Sequence, residues 1–222
     1  MGLLEVQLEK ALLPGMIIPE PLRLLYKWIE DSKYYTDLVD GNRVGSLFSE
    51  QQIKSTWTDT ERYGGTDISF VSEGNSGLEH WFGHDQQEVL NRLCVFAKTG
   101  FDGSMAAFWL DENNAQKIVH MGSGSDSTLV CVLADDCVDF LRLIAIGYDE
   151  ICAIDEFAKP PNTNLGKYGQ FIHPNIEFQE WVAKTFNVTI PKTALEIVKF
   201  PSEMDDSHSL DPFWQWVERM VD

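Results

Sequence analysis

Two histidines at positions i and i+4 are the residues of this chain whose spacing could form a metal site. His80 and His84 flank Trp81-Phe82-Gly83, with Glu79 and Asp85 alongside. On a helix this spacing places two imidazoles on one face, as zinc sites require. However, Gly83 weakens a helix here, and no third ligand is evident in the sequence. We therefore interpret the segment as a polar loop or helix edge, and we expect neither a metal nor a cofactor.

Other patterns that could support catalysis are weaker. Gly122-Ser123-Gly124 has the glycine spacing of a phosphate-binding loop, but an expected strand follows it instead of a helix N-terminus that could bind the anion. A tight hairpin turn explains it better. No GxSxG motif is present, and the cysteines lack CxxC spacing, so we expect no enzyme and reduced, structural thiols. The cysteines are Cys94, Cys131, Cys137 and Cys152.

The charge of the chain restricts its partners. Its 222 residues include 17 Lys plus Arg against 35 Asp plus Glu, a formal net charge of −18. Nucleic-acid binders need a basic face, and anionic membrane surfaces repel acidic proteins, so we expect neither partner. A basic protein partner is permitted, and the field of the whole molecule would steer its approach. Many soluble proteins are acidic, so the charge alone is equally consistent with a role in solubility.

The sequence pattern does not predict membrane insertion or export. The longest apolar stretch near the middle, Leu129 to Ala134, is far shorter than the roughly 20 residues of a spanning helix. The N-terminus lacks a basic region before an apolar run, and Val6 stands where a myristoylation motif needs Ser or Thr. We therefore expect a cytoplasmic protein.

Helices are predicted at both ends of the chain, where apolar residues recur at helical spacing. The first runs from Leu4 to Leu13, stopped by Pro14-Gly15, and the second from about Glu20 to Asp31. Near the C-terminus, a helical stripe runs from Phe178 to Phe186, and Asp211-Pro212 opens a last helix. In that last helix Trp214 and Trp216 lie on different sides. Either one of them is exposed and contributes to a protein-binding surface, or the helix buries both.

The middle of the chain has the pattern of short strands. The predicted strands are Asp67–Ser72, Arg92–Lys98, Met105–Leu110, Lys117–Met121 and Thr128–Leu133. Several of the connections are short, which favours an antiparallel meander because parallel pairs need long crossovers. Asp135 or Asp136 then caps a helix that ends at Gly147, and a short helix is predicted from Tyr148 to Phe157. Two loops are predicted: Lys159 to Tyr168, and the acidic segment Pro201 to Asp211.

The order of these motifs resembles the SUKH superfamily, which includes bacterial immunity proteins and a fungal regulator of cell-wall assembly. The resemblance covers about Leu12 to Ile154, and Asn175 to Val198 resembles an extension on some bacterial members. The motifs that carry it are Trp81-Phe82-Gly83, Val95-Phe96-Ala97, Thr99-Gly100-Phe101-Asp102-Gly103, Ala107-Phe108-Trp109-Leu110, Ile118-Val119-His120-Met121-Gly122, Leu129-Val130-Cys131-Val132-Leu133-Ala134 and Cys137-Val138-Asp139-Phe140-Leu141-Arg142-Leu143.

This resemblance implies an α+β fold with a mixed, mostly antiparallel sheet of about five or six strands and helices packed against it. Residues 1–158 would form that domain, and residues 159–222 a helical extension packed on it. The implied role is non-catalytic: to bind and neutralise a cognate toxin, basic and often a nuclease. The alternative is a regulatory or small-ligand-binding module on the same fold.

Candidate contact residues follow from their expected positions. We nominate Trp81, Phe82 and Asp102, because they lie in or beside expected loops at the edge of the sheet. We add Asp205 and Asp206 from the acidic loop.

Overall fold

The structure is a computed structural model that describes residues 1–163, 165 and 169–221, with all of their side chains except those of Glu50 and Ile53. Its helices are α1 (Leu3–Ala11), α2 (Glu20–Ser32), α3 (Glu50–Thr56), α4 (Leu78–Phe82), α5 (Gln87–Leu90), α6 (Cys137–Ala145), α7 (Ile176–Phe186) and α8 (Pro212–Val221). Its strands are β1 (Tyr35–Asp37), β2 (Arg43–Gly45), β3 (Glu61–Arg62), β4 (Ser69–Gly74), β5 (Leu93–Lys98), β6 (Met105–Leu110), β7 (Gln116–Met121), β8 (Val130–Ala134) and β9 (Phe171–Ile172). Single 3-10 turns cover Ile154–Glu156 and Ala194–Glu196.

Seven of the described strands form one sheet in the order β1-β2-β4-β5-β6-β7-β8, and every neighbouring pair is antiparallel. Strands β4 to β8 are the five that the sequence pattern predicts. Strands β1 and β2 bring the total to seven, above the expected five or six, because runs of three residues carry no periodic signal. The α+β fold is confirmed, and a parallel pair occurs in a separate two-stranded sheet of β3 with β9.

Helices cover both faces of the sheet, and each face has its own hydrophobic core. Neighbouring residues of a strand point to opposite faces, so Phe96 and Phe108 belong to the first core, whereas Val95 and Trp109 belong to the second. Helices α1, α2, α6 and α7 complete the first core, and α4, α5 and α8 the second. Burial on both faces explains why the central strands are almost continuously apolar.

The segment around α6 shows one predicted cap and one wrong prediction. Asp136 accepts a hydrogen bond from the N–H of Asp139 (3.0 Å) and caps α6 as expected. The helix predicted from Tyr148 to Phe157 is reduced to a single 3-10 turn near its end. The reason is that its backbone pairs elsewhere: the carbonyl of Asp149 and the N–H of Ile151 bond to residues outside the segment.

The segment before α8 covers the outer edge of the sheet. On β8, the N–H of Val130 donates to the carbonyl of Ser202 (2.9 Å), and that of Val132 to Asp211 Oδ2 (2.8 Å). Asp211 also caps α8 by accepting two backbone N–H groups. The acidic loop predicted to be exposed is therefore exposed in its middle, whereas Ser202 and Asp211 are buried.

The C-terminal part of the chain contains the two tryptophans of α8 and the predicted loop from Lys159 to Tyr168. Trp214 and Trp216 are both buried, because α8 lies against the second face of the sheet. The predicted loop from Lys159 to Tyr168 contains neither helix nor strand where it is described, and positions 164 and 166–168 lie outside the described residues. Among the helices that the structure describes, none is both long and apolar enough to cross a membrane.

Candidate functional site

A cleft of about 470 Å³ opens at the end of the sheet where the β7–β8 hairpin turns. We call it the acidic cleft, because six carboxylates contribute to its lining: Asp126, Asp149, Glu150, Asp155, Glu156 and Glu203. They come from three separate parts of the chain, namely the hairpin turn, the segment after α6 and the segment before α8.

Hydrogen bonds to the hairpin hold these three parts together. The hydroxyl of Ser127 donates to the carbonyl of Cys152 (2.8 Å). The hydroxyl of Thr128 donates to Glu203 Oε1 (3.0 Å), and its carbonyl accepts the N–H of Met204 (2.7 Å). Because the hairpin continues directly into two strands, these bonds fix the acids to the sheet, and a site anchored in this way is preorganised.

Among the described residues, most of the cleft carboxylates form no ion pair with a cation of the same chain. Asp149 pairs with the buried Arg62, but the other five form no ion pair within the part of the chain that the structure describes. The pKa of Glu156 is raised, first by burial and then by repulsion from Asp155 and Asp149, against the attraction of Lys159. Next to the cleft, burial likewise raises the pKa of Asp67, against the attraction of Arg62. The cleft is therefore a concentrated negative surface.

Two partly exposed rings lie at the Asp149–Glu150 end of the cleft, and we call them the aromatic rim. Phe101, in the β5–β6 turn, is 73% exposed, and its N–H donates to Glu150 Oε1 (2.8 Å). The ring centroid of Trp57 lies 6.5 Å from that of Phe101 and 5.7 Å from the guanidinium carbon of Arg62. Aromatic residues are enriched in protein-binding surfaces, and they often carry much of the binding energy there.

Asp102, nominated from the sequence, lies beside the aromatic rim and clamps two turns together. Its Oδ2 accepts the hydroxyls of Ser104 and Ser123 (2.8 Å each), and its Oδ1 accepts the N–H of Ser104 (3.0 Å). Burial alone raises the pKa of this carboxyl, but the hydrogen bonds outweigh it and hold the pKa below its ordinary value. The half-buried carboxylate therefore stays ionised and joins the β5–β6 turn to the β7–β8 turn.

The other nominated residues lie elsewhere. Trp81 and Phe82 belong to α4 on the second face of the sheet, where Trp81 Nε1 donates to the carbonyl of Gly122 (2.7 Å). Phe82 is 5% exposed, so its ring is buried and not presented at a loop as expected, because α4 turns it into the second core. Asp205 and Asp206 are exposed and follow Glu203 of the acidic cleft by two and three residues.

The two histidines do not share a helix face. Gly83 ends α4 in the left-handed conformation (φ 73°), so His84 lies outside the helix. His84 Nε2 lies 2.9 Å from the carbonyl oxygen of Met220, whereas His80 is exposed. Across the described ranges, no group of three or more His, Cys, Asp or Glu side chains is arranged to hold a metal ion.

None of the residues that line the cleft or form the rim was nominated from the sequence, although part of the signal was present. Asp149-Glu150 and Asp155-Glu156 are two acidic pairs within eight residues, and Phe101 stands beside a glycine in a predicted turn. The sequence does not show that Asp126 and Glu203 border the same cleft, because that depends on how the hairpin pairs with distant segments.

Comparisons with known proteins add no family to this description. No family model, no curated protein and no solved structure matches the chain. The resemblance to the SUKH superfamily therefore rests on the order of its motifs alone.

Proposed function

We propose that the protein is a non-catalytic binding protein that captures a basic protein in the acidic cleft. One observation carries the proposal: five carboxylates, without an ion-pair partner among the described residues, surround a cleft that ends at an exposed aromatic ring. The resemblance to SUKH immunity proteins supports a specific partner, a toxin made by the same or a neighbouring cell and neutralised in the cytoplasm.

A nuclease is the class of toxin that best fits this charge. A nuclease needs a basic face to approach the phosphate backbone, and an acidic cleft competes for that face. Complementary charge raises the association rate by orders of magnitude at low salt, whereas each exposed ion pair adds only about 0.2–1 kcal/mol to the affinity. The acids would therefore raise the association rate and the selectivity for a basic partner, and the aromatic rim would add apolar contacts that are buried in the complex.

A small-ligand or regulatory module is the alternative. The cavity that best suits it lies beside β8, encloses about 210 Å³, and is lined by apolar residues together with Lys117, Lys199, Asp135 and Asp211. Small-molecule sites usually enclose about 300–1,000 Å³, so this cavity is small. Its two lysines already pair with Asp135, which leaves less charge for a ligand. Protein capture in the larger acidic cleft is therefore the better-supported function.

Affinity capture from the lysate of the native cell, at low and at high salt, tests the proposal with three full-length proteins. The first is the wild type. The cleft variant replaces three exposed cleft acids: Asp126→Asn, Asp155→Asn and Glu203→Gln. The control variant removes the same charge from exposed acids outside the cleft: Glu20→Gln, Asp85→Asn and Glu88→Gln. Glu203→Gln keeps an oxygen that can accept the hydroxyl of Thr128.

We expect the wild type and the control to retain the same basic protein at low salt and to release it at high salt. The cleft variant should retain about tenfold less, since three exposed ion pairs together contribute about 1.4 kcal/mol. The purified partner should lose its toxic activity when it binds the wild type or the control. Equal retention by the two variants, or retention that does not depend on salt, would contradict capture in the acidic cleft. If nothing is retained, a thermal-shift screen of small molecules tests the alternative.

A further inference from the structure

The exposed ring of Phe101 and the carboxylate bonded to its N–H are the same two kinds of group that bind an arginine of the protein's own elsewhere. The guanidinium of Arg43 lies 3.5 Å from the ring centroid of Tyr35 and pairs with Asp37 (2.6 Å) and Glu30 (3.2 Å). Arginine can make both contacts at once, because the face of its planar guanidinium stacks on a ring while its N–H groups bind carboxylates.

Beside Phe101 the ring and the carboxylate are present, but within the described residues no cation is stacked on that ring or paired with Glu150. The N–H of Phe101 holds Glu150 against the turn, and no cation pairs with Glu150 in the described parts of the chain. The nearby Arg62 does not fill this position, since it contacts the ring of Trp57 and pairs with Asp149. The exposed face of Phe101 is therefore open to a guanidinium from another protein.

We infer that the basic partner docks an arginine, and not a lysine, on the face of Phe101 with its guanidinium paired to Glu150. This inference rests on the proposed function and specifies the chemistry of the partner. A lysine ammonium is a compact, strongly hydrated charge, so it gains less from the ring and pairs with a single oxygen. Stacking of a guanidinium on an aromatic face favours arginine by about fivefold in affinity.

Two fluorescently labelled peptides of equal length and charge, octa-arginine and octa-lysine, separate the two side chains. Their dissociation constants are measured by fluorescence anisotropy at one ionic strength with the full-length protein and four variants. Phe101→Leu keeps apolar bulk but removes the ring, and Phe101→Tyr keeps the ring. Glu150→Gln removes the charge but keeps an acceptor for the N–H of Phe101. Phe200→Leu is the matched control, because Phe200 is a partly exposed ring outside the rim.

We expect octa-arginine to bind the wild type, Phe101→Tyr and Phe200→Leu about fivefold more tightly than octa-lysine. The preference should fall by about fivefold in Phe101→Leu and in Glu150→Gln. Equal binding of the two peptides to the wild type, or a preference that survives Phe101→Leu, would overturn the arginine inference and leave capture of a basic protein standing. Binding of neither peptide would overturn both, because a basic segment would then have no site.

Discussion

Replacing Asp211 by asparagine should change how the stability of the protein depends on pH. The carboxylate is 1% exposed and joins the edge of the sheet to α8. Its Oδ2 accepts the N–H of Val132 (2.8 Å), and its Oδ1 accepts those of Phe213 and Trp214 (2.9 Å each). Burial raises the pKa of Asp211 from 3.8 to about 6, although the three hydrogen bonds act to lower it.

The sign of the effect follows from where the proton is held more tightly. The folded protein binds this proton more tightly than the unfolded chain, so ionisation of Asp211 reduces stability as the pH rises through about 6. Between the pH at which Asp211 is fully protonated and the pH at which it is fully ionised, the free energy of unfolding falls by about 3 kcal/mol. About 1.4 kcal/mol of this decrease occurs between pH 5 and pH 8. That window lies above the isoelectric point of about 4.5, near which proteins tend to precipitate.

Urea unfolding of the wild type and Asp211→Asn, at constant ionic strength from pH 5 to pH 8, measures this difference. We expect the wild type to lose about 1.4 kcal/mol relative to the variant across the window, because the amide does not titrate. Asparagine has one acceptor oxygen fewer than aspartate. The hydrogen bond lost in this way shifts the variant's free energy of unfolding by a constant amount and does not change how that free energy depends on pH. Asp85→Asn, which removes an exposed carboxylate, should stay within about 0.5 kcal/mol of a constant offset.

Parallel curves for the wild type and Asp211→Asn would refute this reasoning, because the buried carboxyl would then bind its proton as the unfolded chain does. A carbon-13 NMR titration of Asp211 in the wild type measures the same pKa without any substitution, so the prediction can be checked even if the variant folds poorly.

Three further predictions test the fold and the site. Phe82→Ala should lower the free energy of unfolding by about 3 kcal/mol or more and leave partner capture intact. Phe101→Ala should weaken capture and leave stability unchanged. Urea unfolding and the capture assay distinguish the two variants. Asp136→Ala should cost about 1 kcal/mol through loss of the α6 cap, and Asp136→Ser should recover most of it. Gly147→Ala should cost about 1–3 kcal/mol, since its φ is 95° and the new Cβ would lie 3.3 Å from the Cβ of Pro174; an unchanged denaturation midpoint would argue against that conformation.

The central fold was predictable because its determinants are local. Strands β4 to β8 and helices α1 and α2 follow from patterns of apolar residues and from the turn residues between them. The cap of α6 by Asp136 involves residues three positions apart. Interactions between near neighbours in the chain leave a signature that can be recognised without knowing the rest of the molecule.

The shortest strands could not be predicted in this way. Strands β1 and β2 have three residues each, too few for a periodic pattern. In the small sheet, Glu61 pairs with Phe171, 110 positions further along the chain. Neither segment has a strand signal of its own, because each becomes a strand only when the other lies beside it.

The candidate site also combines features that the sequence predicts with features that only the tertiary structure determines. Composition alone establishes the excess of 18 negative charges, and the turn pattern predicts that Phe101 and Asp102 lie in a turn. Phe82 and Phe101 each stand beside a glycine, yet α4 buries the first and the β5–β6 turn exposes the second. Asp126, Glu150 and Glu203 border one cleft because the β7–β8 hairpin bonds to both neighbouring segments. Residue types decide how much charge the chain carries, whereas long-range hydrogen bonding and packing decide which of those charges meet.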